Sequence, residues 1–214
     1  MPKACHLHAV MLAAAGLAAC RSERPQGPPP PRPVVVIEAA EGWRSAALPQ
    51  HAGVTEDMPG LFRQLAAAAR AAGADRELLD PYLALPRAAP APGPYRCRLV
   101  RLGPAAAAPR GRRGGREAFC FVTLVGDRLS LTLETAARPL GGFLWETSEP
   151  GRLVFLGAEF RPGGRTALPY GEAGAISTAG LFERIGDFRY RLVVRGPQQG
   201  TADVYELIAA PNPR

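Results

Sequence analysis

Outside its first twenty residues the chain has two cysteines, Cys97 and Cys120, and one histidine, His51. A redox pair wants a Cys-x-x-Cys spacing and a metal half-site wants neighbouring histidines. Neither accompanies "YRCRLVRLG" or "REAFCFVTL". No Gly-x-Ser-x-Gly elbow, phosphate loop or His-Glu metal motif is present, so most nucleophilic mechanisms lack their parts. Ser130 falls on the outward face of a strand. A hydrolase built on paired carboxylates needs no histidine, and Glu183 is the best candidate acid. The competing reading is that Glu183 accepts a hydrogen bond from Tyr190 or pairs with an arginine within the sheet. No catalytic, cofactor-binding or metal-binding residue is assigned from the sequence.

The elements that position these groups are mainly strands. In "FVTLVGDRLSLTL", Gly126-Asp127 sits between two alternating runs, the signature of a two-residue hairpin. Closing it sets Leu124 opposite Leu129, Val122 opposite Leu131 and Cys120 opposite Leu133. Thr123 then faces Ser130, and Phe121 faces Thr132. One face is apolar, and a slip of one residue would destroy the sorting. Placing Cys97 opposite Cys120 sets Leu99 against Ala118 and Tyr95 against Val122. Directly opposed residues of an antiparallel pair come within disulfide reach, so a Cys97–Cys120 bond is expected. The loop-closure model gives it about 3.5 kcal/mol. On the outer face Arg96 and Arg98 lie across from Phe121 and Phe119, a candidate partner surface of charge and aromatic area.

Gly186-Asp187 repeats the tight-turn pattern. It is expected to pair Ile185 with Phe188, Glu183 with Tyr190 and Leu181 with Leu192, which points Glu183 inward. Further strand-like runs are "GGFLWETS", "GRLVFLGAEF" and "ADVYELIAA". Before them, "TEDMPGLFRQLAAAARAAGA" reads as a helix capped by Thr55 or Asp57, with a stripe of Leu61, Leu65, Ala68 and Ala72, ending at Gly73. "DRELLDPYLAL" offers another turn or two, and a short helical piece surrounds Trp43. The predicted fold is α+β: N-terminal helices packed on a seven- or eight-stranded antiparallel meander, as a curled sheet or small β-barrel. The helices are expected to cover the face bearing Phe119 and Phe121.

The beginning of the chain addresses it. Lys3, an apolar run from Ala9 to Ala19, and "LAAC" resemble the signal and lipobox of bacterial lipoproteins. That resemblance implies acylation of Cys20 as the first mature residue, ordinary secretory cleavage being the other reading. Residues 1–19 are then signal, residues 20–39 a proline-rich tether, and residues 40–210 one globular domain, helical over 40–86 and antiparallel β over 94–208. Arg21 after the cysteine favours the outer membrane, facing the periplasm, over the inner membrane. An oxidising compartment also suits the disulfide.

The formal net charge is +7, but Lys3 is the sole lysine and every other basic residue is arginine. Abundant alanine, glycine and proline accompany them, a pattern that coding bias explains as well as function. Nucleic acid is therefore not an expected partner, while anionic lipid or polysaccharide is compatible with a basic surface. "PAAAAPRGRRGGR", residues 104–116, reads as a solvated hairpin insertion, with phosphate binding as the alternative.

"YRCR", "RLVFLGA" and "ERIG…RLV" resemble the bacterial family of domain of unknown function 4893, from about Trp43 to the C-terminus. "ARPLGGFLWE" is similar to a Gln-Arg-Pro-x-Gly stretch of that family, with Ala137 in place of the glutamine. The resemblance implies an exported protein and fixes the domain's extent; it supplies no mechanism. The expected function is a non-catalytic binding or assembly module of the cell envelope, with no cofactor. The membrane enters through the anchor at Cys20, and an envelope protein is the expected partner. The alternatives are a lipid or small-ligand carrier with a calycin-like cavity, and a carboxylate-based hydrolase.

Overall fold

The computed structural model describes residues 42–104, 117–135, 137–164 and 166–210. Cys20, the signal, the tether and the arginines between Arg110 and Arg116 lie outside the described residues.

Among the described residues, eight antiparallel strands follow one another in chain order and close into a barrel, β8 pairing with β1. They are β1 (Gly93–Leu102), β2 (Ala118–Val125), β3 (Arg128–Leu133), β4 (Leu140–Glu146), β5 (Arg152–Glu159), β6 (Ser177–Gly186), β7 (Arg189–Arg195) and β8 (Ala202–Ala209). Closure removes every free strand edge. Eight strands enclose a space that side chains can fill. Tyr95, Val122, Leu131, Leu140, Phe155, Phe182, Leu192, Tyr205 and Leu207 fill it here. Tyr190 stacks on Phe182 at 5.5 Å and meets Tyr95 edge-on at 5.9 Å. Inward-facing glycines make room for these rings: a Cβ on Gly157 would run into the Phe155 ring, and one on Gly180 into Val194 and Leu192.

A second core lies outside the barrel wall. Helix α1 (Gly42–Ala46) packs on β4, and α2 (Val54–Ala71) packs on β6, β7, β1 and β8. Trp43, Met58, Phe62 and Ala66, with Leu78 and Leu79 from the segment after α2, bury Val154, Leu181, Val193 and Val204 of the wall. The buried stripe of α2 is Val54, Met58, Phe62 and Ala66, one position round from the predicted one. Its N-cap is Gly53 rather than Thr55 or Asp57, which both lie inside the first turn. Gly73 ends the helix at φ +87°, the left-handed conformation that glycine tolerates. Residues 75–85 form turns instead of a further helix, and Leu85 makes an isolated bridge to Arg184.

The β2–β3 hairpin has the expected register at all five predicted pairs, with Gly126 at φ +63° in its turn. Two other registers differ from expectation. Between β1 and β2, Cys97 pairs with Ala118 and Tyr95 with Cys120, a shift of two residues that leaves every side chain on its predicted face. The Cys97–Cys120 disulfide is present and spans the diagonal, with Cα atoms 6.0 Å apart. Strand twist brings such diagonal positions close enough to bridge.

Between β6 and β7 the turn residues are Asp187 and Phe188, and an irregularity between Arg184 and Gly186 shifts the ladder. Glu183 therefore pairs with Arg191, not Tyr190, and Leu181 with Val193. An odd shift reverses the faces of a strand. Leu181 and Glu183 point out of the barrel into the helix-covered layer, and Phe182 points in.

Candidate interaction surface

The helix-covered wall carries a row of charges that no local motif announces. Across five strands the directly paired residues are Arg152, Glu183, Arg191, Glu206 and Arg98. Glu183 Oε1 accepts from Arg152 Nε at 2.7 Å, and Oε2 accepts from Arg191 Nε at 2.7 Å. Glu206 accepts from Arg98 and, at 2.7 Å, from Arg189 Nε. Arg98 also reaches Asp75 at 2.6 Å, and Arg189 reaches Glu77 at 2.5 Å. Buried Arg191 donates to the carbonyls of Leu78 and Asp80 at 3.0 and 2.5 Å. This row clamps the 75–80 segment to the wall. Both oxygens of Glu183 are occupied by guanidinium donors, so the candidate acid is a structural ion-pair partner.

The barrel end beside the β3–β4 connection is closed by Arg138, the arginine of "ARPLGG". Its Nη1 lies 3.1 Å from Asp203 Oδ2 and 2.7 Å from the Arg195 carbonyl, and its Nε lies 2.7 Å from Glu159. Arg101 takes the other oxygen of Asp203 at 2.8 Å. The Tyr205 hydroxyl donates to the Arg138 carbonyl at 2.8 Å, and burial pushes its pKa up. Among the described residues, no buried side-chain polar atom of this plug is left without a partner.

His51 sits against a tyrosine. Its Nδ1 lies 2.7 Å from the Tyr170 hydroxyl, which also accepts from the Leu48 N–H at 3.0 Å. Burial, with the charge of Arg195, holds the imidazole below its ordinary pKa. The contact ties the turn at Pro49–His51 to the 160–176 loop.

The four residues of the predicted partner surface separate. Arg98 belongs to the charge row. Arg96 pairs with Phe119 on the outer wall and stays half-exposed, 4.0 Å from Glu117. Phe119 is 58 % exposed and Phe121 39 % exposed, so the helices do not cover them as expected. The helices lie over β5–β8, which are buried on both faces, with their outward charges paired in the row above; β2 and β3 alternate and leave one face to solvent. Phe143 at 37 % and Val125 at 52 % exposure join this open face, and sequence reasoning missed both. Ser130 pairs with Phe143 and with Thr123, and Thr132 with Phe121. The Arg128 guanidinium lies 3.6 Å over the Trp145 ring at its border.

A polar groove of about 230 Å³ lies on the helical side, lined by Trp43, Arg44, Thr55, Glu56, Thr147 and Arg152 among others. Arg44 pairs with Glu56 at 2.8 Å and Arg152 with Glu149 at 2.5 Å, so its charges are internally matched.

No curated protein and no solved structure matches the chain. A family match extends over residues 43–207, from Trp43 in α1 to Leu207 in β8, and takes in β1–β7, most of β8, the disulfide, the charge row and the Arg138 plug. The chain belongs to the family described as domain of unknown function DUF4893.

Proposed function

We propose that this domain is a non-catalytic binding module of the cell envelope, anchored to the outer membrane through a lipid on Cys20. It acts through its outer surface. The observation that carries the reading is the filled barrel: Tyr95, Phe155, Phe182, Tyr190 and Tyr205 occupy the space a carrier would keep for its ligand. The Arg138 plug further favours a closed scaffold over a cup. Glu183, held by two arginines, offers no free oxygen for acid catalysis. Another envelope protein is the partner class of such a scaffold, and the groove beside Arg44 and Glu149 gives its helical side a polar relief to recognise.

Three measurements test this. Mass spectrometry of the mature N-terminus should find acylated Cys20; cleavage elsewhere overturns the anchor. The full chain should show no saturable uptake of N-phenyl-1-naphthylamine that Val194→Phe abolishes; such uptake would make it a carrier. Turnover of an envelope substrate, lost in a folded Glu183→Gln variant, would make it an enzyme.

A further inference from the structure

We propose that His51 and Tyr170 form an acid-opened latch: it ties the loop of residues 161–176 to the α1–α2 connection while the imidazole is neutral, and lets the loop go once the ring takes a proton. The device depends neither on an anchor nor on a partner.

The loop has little else to hold it to the helical layer. Among the described residues, its backbone hydrogen bonds stay within the loop or return to the strands that flank it. The Glu172 and Ala175 N–H groups donate to the Pro169 and Glu172 carbonyls, the Gly171 N–H to Ser177 Oγ, and the Glu159 N–H to the Ile176 carbonyl. Tyr170 reaches across. Its oxygen accepts from the Leu48 N–H at 3.0 Å and lies 2.7 Å from His51 Nδ1, and its ring packs on the second core. Leu48 in turn sits against Gly171, where a Cβ would lie 3.6 Å from its Cδ2.

A phenol has one proton to give. With the Leu48 N–H already donating to the oxygen, that proton goes to the acceptor at hand, an unprotonated Nδ1, and the neutral ring keeps its own proton on Nε2. An imidazolium has no acceptor nitrogen, so it turns the phenol proton away from the contact. The surroundings also oppose the cation. Burial disfavours its charge, and Arg195 of β7 repels it. The acids on this side are taken: Asp57 of α2 by Arg195 at 3.3 Å and Glu56 by Arg44 at 2.8 Å, while Glu172 of the loop is exposed. The folded pKa therefore lies below the unfolded value of about 6.5. The latch is complete above that value and weakens as pH falls toward the folded one. Release uncovers the edge of the second core that Tyr170 covers.

The test uses the full chain labelled with nitrogen-15, the His51 signals being assigned by their absence from a His51→Gln variant. Long-range proton–nitrogen correlation should show Nδ1 unprotonated in the neutral ring, and the ring should titrate below about 6.5. Between about pH 7.5 and about pH 5 the protection factor of the Leu48 amide should fall about threefold or more, while the β2 and β3 amides keep theirs. Tyr170→Phe should remove Leu48 protection at both pH values and raise the His51 pKa, since the neutral ring loses its donor. His51→Gln, neutral at every pH, should hold Leu48 protection level, and it decides the matter if Tyr170→Phe does not fold. A proton on Nδ1 of the neutral ring, a His51 pKa at or above the ordinary value, or Leu48 protection that ignores pH overturns the proposal. So does a loss shared equally by the β2 and β3 amides, or one that persists in His51→Gln.

Discussion

Arg191 and Glu183 face each other across β7 and β6 on the outer wall of the barrel, both buried, with the Arg191 Nε 2.7 Å from Glu183 Oε2. The pair is the hinge between two cores. Below it lies the barrel; above it the arginine holds the Leu78 and Asp80 carbonyls and lies 4.8 Å over the Phe62 ring.

Breaking this pair on one side leaves a buried charge without its partner. Arg191→Met is expected to cost about 3–5 kcal/mol, and Glu183→Leu a similar amount, because Arg152 and Arg191 both lose an acceptor. The double variant Glu183→Leu/Arg191→Met should recover part of the loss, since two apolar side chains need no compensation. Urea unfolding of the four proteins measures it, and additive losses would contradict the coupling.

The disulfide closes the β1–β2 connection, a sequence separation of 23. Cys97→Ser/Cys120→Ser should lower stability by about 2–4 kcal/mol while the barrel still forms, because both positions lie within an otherwise continuous interior. Guanidinium unfolding checks the loss. Thiol titration of the unreduced, denatured native chain should find neither cysteine free.

Acid should loosen the clamp before the barrel. Burial works to raise the Asp75 pKa, but the Leu78 N–H and the Arg98 and Arg189 guanidiniums outweigh it and hold the carboxyl below its ordinary value. A depressed folded pKa means that this stabilisation is complete above the unfolded value of about 3.9 and disappears as pH falls through the folded one. Asp75→Asn should therefore be less stable at neutral pH and show a flatter acid limb below about pH 4. Amide exchange at Leu78 and Leu79 as pH is lowered reports the clamp directly; no pH dependence there would contradict it.

The inward glycines should resist side chains. A Cβ at Gly157 would contact both the Gly141 carbonyl and the Phe155 ring. Gly157→Ala should cost about 1–3 kcal/mol as the ring and strand shift. Gly126→Ala, in the open β2–β3 turn at φ +63°, tests a different cost, since nothing lies near its Cβ and only the backbone conformation is strained. That variant should lose about 1 kcal/mol. Thermal melts of both variants distinguish crowding from strain.

How much of this was legible depended on whether a strand shows one face or two. Val122 and Leu131 alternate with Thr123 and Ser130, so one register of β2–β3 sorts apolar from polar and the sequence alone selects it. In β6, Ala179, Leu181 and Phe182 are all buried, on both sides of the strand, so alternation could not place Glu183. The irregularity after Arg184 then removed the turn as a guide. The β1–β2 shift kept its faces and so left no mark in the pattern. The unbroken apolar runs of "RLVFLGA" and "RLVV" are buried on both faces and mark where the helices lie, a signal passed over when the helices were expected to cover Phe119 and Phe121. The charge row and the Arg138 plug were out of reach, because their members lie on different strands and meet only after closure.

The proposed function requires a barrel interior that stays closed to ligands. Fluorine NMR of the full chain labelled at phenylalanine and titrated with N-phenyl-1-naphthylamine reads the interior rings separately from those on the wall. Phe155 and Phe182 inside the barrel should stay unmoved. Saturable perturbation of both, abolished by Val194→Phe, would contradict a closed interior.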